Sequence, residues 1–92
     1  MGKVDVLSGL VGVYCWFYSH EHKPPHFHAK RKGQWHIRVY FLRQRSEMMD
    51  RVYDRNMRGR ISAKDRNAIC GLSVLHREEL LKEWEKKVNC ND

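Results

Sequence analysis

Cysteine is scarce in this chain of 92 residues and poorly placed for cross-linking: Cys15, Cys70 and Cys90 are far apart and form no Cys-x-x-Cys. Such a set argues against a disulfide framework and a cysteine-based zinc site, and suits a reducing compartment. Proline occurs only as the adjacent pair Pro24-Pro25, so there is no proline-rich tract. No apolar run approaches the roughly 20 residues that cross a bilayer; the longest, Leu10 to Tyr18, is dense in aromatics. No small-residue cleavage site accompanies it, and Met1-Gly2 lacks the downstream Ser or Thr of a myristoylation signal. The expectation is a cytoplasmic protein with no membrane partner. Internal repeats are absent, and the length suits one domain over residues 1–92.

Hydrophobic residues make up 41% and charged residues 32% of the chain, the balance of a folded domain and not of a disordered tail. The net charge of +7 is uneven. Residues 30–66 hold twelve Lys and Arg against four Asp and Glu, whereas the segments on either side are close to neutral. A localised positive field attracts a polyanion or an acidic partner protein; a solvated basic loop is the simpler alternative. Six histidines are present, and four of them (His20, His22, His26 and His28) fall within nine positions around Pro24-Pro25. A neutral core has little use for that density.

The reading of the elements is an α+β fold: an antiparallel β-sheet of three to four strands packed by a long C-terminal helix. Strands are expected at 9–18, 26–30 and 34–42, with 48–53 as the fourth if it pairs. The helix is expected over 62–88, with Ser62 as N-cap and Asp65 completing a capping-box pattern. Gly71 inside it marks a bend or a close contact. The Glu78–Lys82 and Glu83–Lys87 pairs read as a solvated helix face. Each proline biases the residue before it toward extended backbone, so residues 19–25 should be a stiff connector delivering His26. A three-residue loop Arg31-Lys32-Gly33 pairs Phe27 with Ile37 and Ala29 with Trp35 on a core face. On the other face it sets His28 across from His36 and His26 across from Arg38.

The string Glu21-His22-Lys23-Pro24-Pro25-His26-Phe27-His28-Ala29, together with His76, Glu79-Leu80 and Trp84 downstream, resembles the signature of a family of small uncharacterised bacterial proteins. That family is treated as a domain of unknown function. The resemblance implies one half of a two-gene toxin–antitoxin-type module, with a small DNA-binding-like protein as its companion.

Three chemistries use these residues. In the first, metal-independent acid–base cleavage of a phosphodiester, His22, His26, His28 and His36 are the catalytic candidates. Lys30, Arg38 and Arg43 hold the phosphate, and Glu21, Pro24, Pro25, Tyr40 and His76 support the site. No cofactor is then needed. The second is a non-catalytic module binding nucleic acid or an acidic protein such as a cognate antitoxin, in which Tyr14, Trp16, Tyr18 and Tyr40 stack bases among cations. The third is a metal site, zinc or another divalent ion, with His26, His28 and His36 as ligands. For any single histidine the plainer reading is structural, its ring bonded to loop backbone. His76 lies on the helix's apolar stripe, either as a satisfied core residue or as an orienter of the cluster.

Overall fold

The computed structural model describes residues 2–18, 20, 23–52, 55 and 59–88. Among them the chain forms a five-stranded antiparallel meander followed by two helices. The strands are β1 (Gly2–Lys3), β2 (Tyr14–Phe17), β3 (Phe27–Arg31), β4 (Trp35–Val39) and β5 (Met49–Arg51), and they lie side by side in chain order. The helices are α1 (Ala63–Leu75) and α2 (Arg77–Lys87). The α+β class is as expected; the strand count is five, not three to four.

Period-two alternation places Cys15, Phe17, Phe27, Ala29, Ile37 and Val39 on one face of the sheet, all buried. Ile69 and Cys70 from α1, and Leu80 and Trp84 from α2, join them in one hydrophobic cluster. Aromatic edges lock this layer: Phe17 meets Phe27 at 6.4 Å and Trp84 at 6.3 Å, both near-perpendicular. With the helices on that face, the opposite face looks outward.

Four expectations need correction. The strand expected at 9–18 begins at Tyr14, because residues 9–12 are turn, Gly12 has a left-handed φ of 77° and Val11 is exposed. The expected 34–42 strand ends at Val39, and its successor covers only 49–51; Tyr53 lies outside the described residues. The expected long helix is two, parting at His76, whose φ of −112° and ψ of 31° are not helical. The break falls beside Arg77, which donates to the Phe41 carbonyl at 2.9 Å and the Arg43 carbonyl at 2.8 Å. That grip pins the start of α2 to the loop after β4. Gly71 marks no bend, and a Cβ there would find only Arg45 Nη1, at 4.0 Å.

The β3–β4 hairpin also differs in register. Arg31 pairs with Trp35, Ala29 with Ile37 and Phe27 with Val39, two residues away from the expected pairing. The Gln34 N–H donates to the Arg31 carbonyl at 2.9 Å, which makes Gly33, with φ 76°, the third residue of a tight turn. Arg31 therefore belongs to the strand and not to the loop. Its guanidinium is bidentate on Asp65 at the start of α1, at 2.9 and 3.0 Å. Arg31 holds the Asp65 carboxyl below the usual carboxylate range. The Ser62 side chain caps α1 by accepting from the Asp65 N–H at 3.1 Å, as the capping pattern predicts.

The Glu83–Lys87 pair is more than a solvated face. Lys87 Nζ reaches Glu83 Oε1 and Asp5 Oδ2, both at 2.9 Å, and the Lys3 carbonyl at 2.8 Å. Glu83 in turn accepts from the Asp5 N–H at 2.8 Å. This network ties the last turn of α2 to the backbone after β1.

Candidate functional site

The outward face of the sheet is built around Trp16. Tyr14, two residues earlier on the same strand, stacks on it at 5.2 Å with planes 17° apart. Tyr18 meets it edge-on at 5.8 Å. From β3, the His28 ring stacks on it at 5.3 Å, and from β4 the His36 ring lies 5.2 Å away. Lys30 Nζ stands 5.5 Å from the ring centroid, within cation–π range. These neighbours leave Trp16 only 3% exposed although it points away from the core, whereas Tyr14 and Tyr18 remain exposed. The Trp16 indole N–H is buried and has no hydrogen-bond partner among the described residues.

His28 and His36 come together, but by a different route from the expected one. His28 stands opposite Arg38, and His36 opposite Lys30. The two imidazoles are therefore diagonal neighbours, a separation that long and aromatic side chains bridge. His28 Nδ1 and His36 Nε2 are 3.1 Å apart. A hydrogen bond at that distance needs one proton between the two nitrogens, with one ring donating and the other accepting. Two imidazolium charges at their centroid separation of 5.3 Å would repel by about 3 kcal/mol at an effective dielectric near 20. The geometry thus favours a pair carrying no more than one positive charge. His28 is buried, and His36 is the more exposed partner.

His26 adjoins that pair, its ring centroid 5.5 Å from that of His28, and is fixed on the backbone. Its Nδ1–H donates to the Pro24 carbonyl at 2.9 Å, and the Lys23–Pro24 peptide is cis. The chain bends at Lys23 and Pro24, where an extended connector is predicted. The ring lies 5.0 Å from Tyr40 and 5.7 Å from Trp84, so His26 joins the sheet to α2. The expected His26–Arg38 pairing is absent because the register shift sets Arg38 across from His28. Tyr40 is buried, and Arg43 covers its ring at 4.0 Å. The cations Lys30, Arg38 and Arg43 thus border the aromatic cluster; Asp50, which pairs with Arg38 in the register, is an acidic neighbour among the described residues.

The remaining candidates fall elsewhere. Glu21 and His22 lie outside the described residues. His76 is half-buried at the α1–α2 junction, and its partner among the described residues is Glu79, with Oε2 at 3.6 Å, and not a histidine of the cluster. Pro25 is half-buried, leading directly into His26. Among the described residues, no group of three or more His, Cys, Asp or Glu is placed to hold a metal ion. The two described cysteines are poor nucleophiles, since burial pushes the Cys15 thiol up to about 12 and raises that of Cys70 as well. None of the described helices is long and apolar enough to cross a membrane.

A domain of unknown function, DUF4160, matches residues 12–85. The chain belongs to the DUF4160 family. The matched segment runs from the turn before β2 into α2, so it takes in β2 to β5 and most of the helical support, with β1 outside it. No curated protein and no solved structure matches the chain.

Sequence reading missed one feature of this site: the contact of Lys30 with Trp16 follows only from the cross-strand register. The bond from His26 to the Pro24 carbonyl is the loop-backbone anchoring expected of a structural histidine. The alternation of Tyr14, Trp16 and Tyr18 was the available signal for an aromatic outer face, because both parities of that strand are apolar and one of them must face outward.

Proposed function

We propose that this DUF4160 chain is a bacterial toxin–antitoxin-type component that acts on nucleic acid through the outward face of its sheet. The observation that carries the proposal is the His28–His36 contact of 3.1 Å, with Lys30 and Arg38 opposite the two histidines, Arg43 over Tyr40 on the same face, and exposed Tyr14 and Tyr18 flanking them. Aromatic faces take bases and cations take phosphates, the combination that single-stranded nucleic acid requires. The positive excess of residues 30–66 draws a polyanion to the same region. The two-gene assignment rests on the resemblance of the His-x-Pro-Pro-His-Phe-His segment, and the chain's cytoplasmic location on its cysteine usage.

The reaction that suits the pair is metal-independent RNA cleavage. His36, the more exposed ring, takes the proton of a ribose 2′-hydroxyl as that oxygen attacks the adjacent phosphorus. The bond to the 5′-oxygen breaks, and the imidazolium of the pair returns a proton to the leaving oxygen, giving a 2′,3′-cyclic phosphate. His28 lies behind His36 as its proton partner. The stacked Tyr14–Trp16 pair, with Lys30 over Trp16, favours a second reading in which the face binds a strand without cutting it.

Incubating single-stranded RNA with the protein in EDTA separates the two. Cleavage that falls about a hundredfold or more in His36→Ala, with RNA affinity kept, supports the nuclease. Intact RNA, with binding that weakens with salt and loses about 1–3 kcal/mol in Tyr14→Ala, supports the binding module. Absence of both refutes the proposal. Growth arrest on expression, relieved by His36→Ala, tests the two-gene role.

A further inference from the structure

A recess opens on the helix side of the β4–β5 edge. Its volume is about 270 Å³. Ile37, Met49 and Ile61 line its apolar part, and Arg51, Arg60 and Arg66 its charged part. Ile37 and Met49 alternate along their strands with Arg38 and Asp50, so the recess lies on the opposite face of the sheet from the histidines. The three arginines come from β5, from the segment before α1 and from α1 itself, and all are exposed. Among the described residues no carboxylate lines the recess and none pairs with these guanidiniums. The neighbouring Asp65 is turned to Arg31.

Three like charges gathered round a low-dielectric floor repel one another and focus a positive potential into the recess. Guanidinium forks match carboxylates in bidentate geometry. The apolar floor is of no use to a bare anion. The volume falls just under the roughly 300–1,000 Å³ of sites that enclose drug-sized ligands, and suits one aliphatic side chain better than a nucleoside. We infer that this recess docks a segment of a partner protein in which one aliphatic side chain enters between Ile37, Met49 and Ile61 while flanking carboxylates pair with Arg51, Arg60 and Arg66. The site is independent of the nucleic-acid reading, since it shares no residue with the outward face.

The test uses the full chain, labelled with nitrogen-15, and a synthetic acetyl-Asp-Glu-Leu-Asp-Glu-amide peptide. Amide shifts should move in a saturable way at Ile37, Arg51, Arg60, Ile61 and Arg66 and stay fixed at Lys30 and His36. Changing the peptide's Leu to Ser, or the protein's Arg51 and Arg66 to Ser, should weaken binding about tenfold. Both arginines are exposed, and an otherwise unchanged spectrum verifies that the variant folds; Arg66→Lys, which keeps the charge and loses the fork, is the milder second variant and should weaken binding less. Equal binding of the Leu and Ser peptides would mean bulk charge only, and would overturn the inference. So would shifts confined to the outward face, no saturation up to about 1 mM, or displacement of the peptide by oligouridylate with the same arginine dependence, which would make the recess a nucleic-acid site.

Discussion

Two glycines should respond to the same substitution with opposite signs. Gly71 lies inside α1, where glycine costs about 0.5–1 kcal/mol relative to alanine because its unfolded backbone is freer. A Cβ added there would stand 4.0 Å from Arg45 Nη1 with nothing nearer, an ordinary contact. Gly71→Ala should therefore recover most of that cost. For a domain of this size each kcal/mol moves the Tm by about 4–8 °C, so the expected rise is about 2–8 °C. Gly33 meets no neighbour within 4 Å, but its φ is 76°. Alanine there pays only for the left-handed backbone, about 1–2 kcal/mol, and the Tm should fall by about 4–16 °C. Thermal melts followed by far-UV circular dichroism read both variants. The sites share no partner, so the double variant should equal the sum to within about 0.5 kcal/mol. A Tm lowered by Gly71→Ala would refute the reasoning, because it would place a required bend at Gly71 and not at His76.

Two further perturbations probe the ties between sheet and helices. The Asp65 carboxyl titrates lower in the folded chain than in the unfolded one, because Arg31 grips it. Its contribution is thus present above the ordinary carboxylate value of about 4 and is lost as pH falls through the folded value. Asp65→Asn should lower the Tm at neutral pH, with the difference from the parent narrowing by about pH 3; melts showing a constant difference would rule out the charge as its source. Lys87→Met removes three hydrogen bonds, two joining α2 to Lys3 and Asp5 and one to Glu83 within the helix. A loss of about 1 kcal/mol is expected for a pair so near the surface, and faster amide exchange at Asp5 and Val6 would locate it.

How much of this was legible in the sequence depends on whether the deciding contact is local. Alternation along Trp35 to Val39 and the glycine of the hairpin fixed the faces of β3 and β4. The register slipped by two because a shift of two keeps every side chain on its own face, so hydrophobic pattern cannot choose between the alternatives. Arg31 joins the strand through Asp65, a partner 34 positions away. The His28–His36 meeting survives the slip as a diagonal contact. The break at His76 has no signature in the apolar period, since Arg77 is anchored by the carbonyls of Phe41 and Arg43. β1 is two residues long and owes its place to pairing with Trp16 and Phe17.

The sheet tapers toward its margins. β3 and β4 have five residues each, while the outermost strands, β1 and β5, have two and three. Open strand margins invite other chains to add by backbone pairing, and natural sheets resist this with stubby outer strands and charge. Here β5 is a stub bearing exposed Asp50 and Arg51. Such margins offer a poor template for fibre-like stacking, so recognition by this fold has to proceed through side chains on its two broad surfaces.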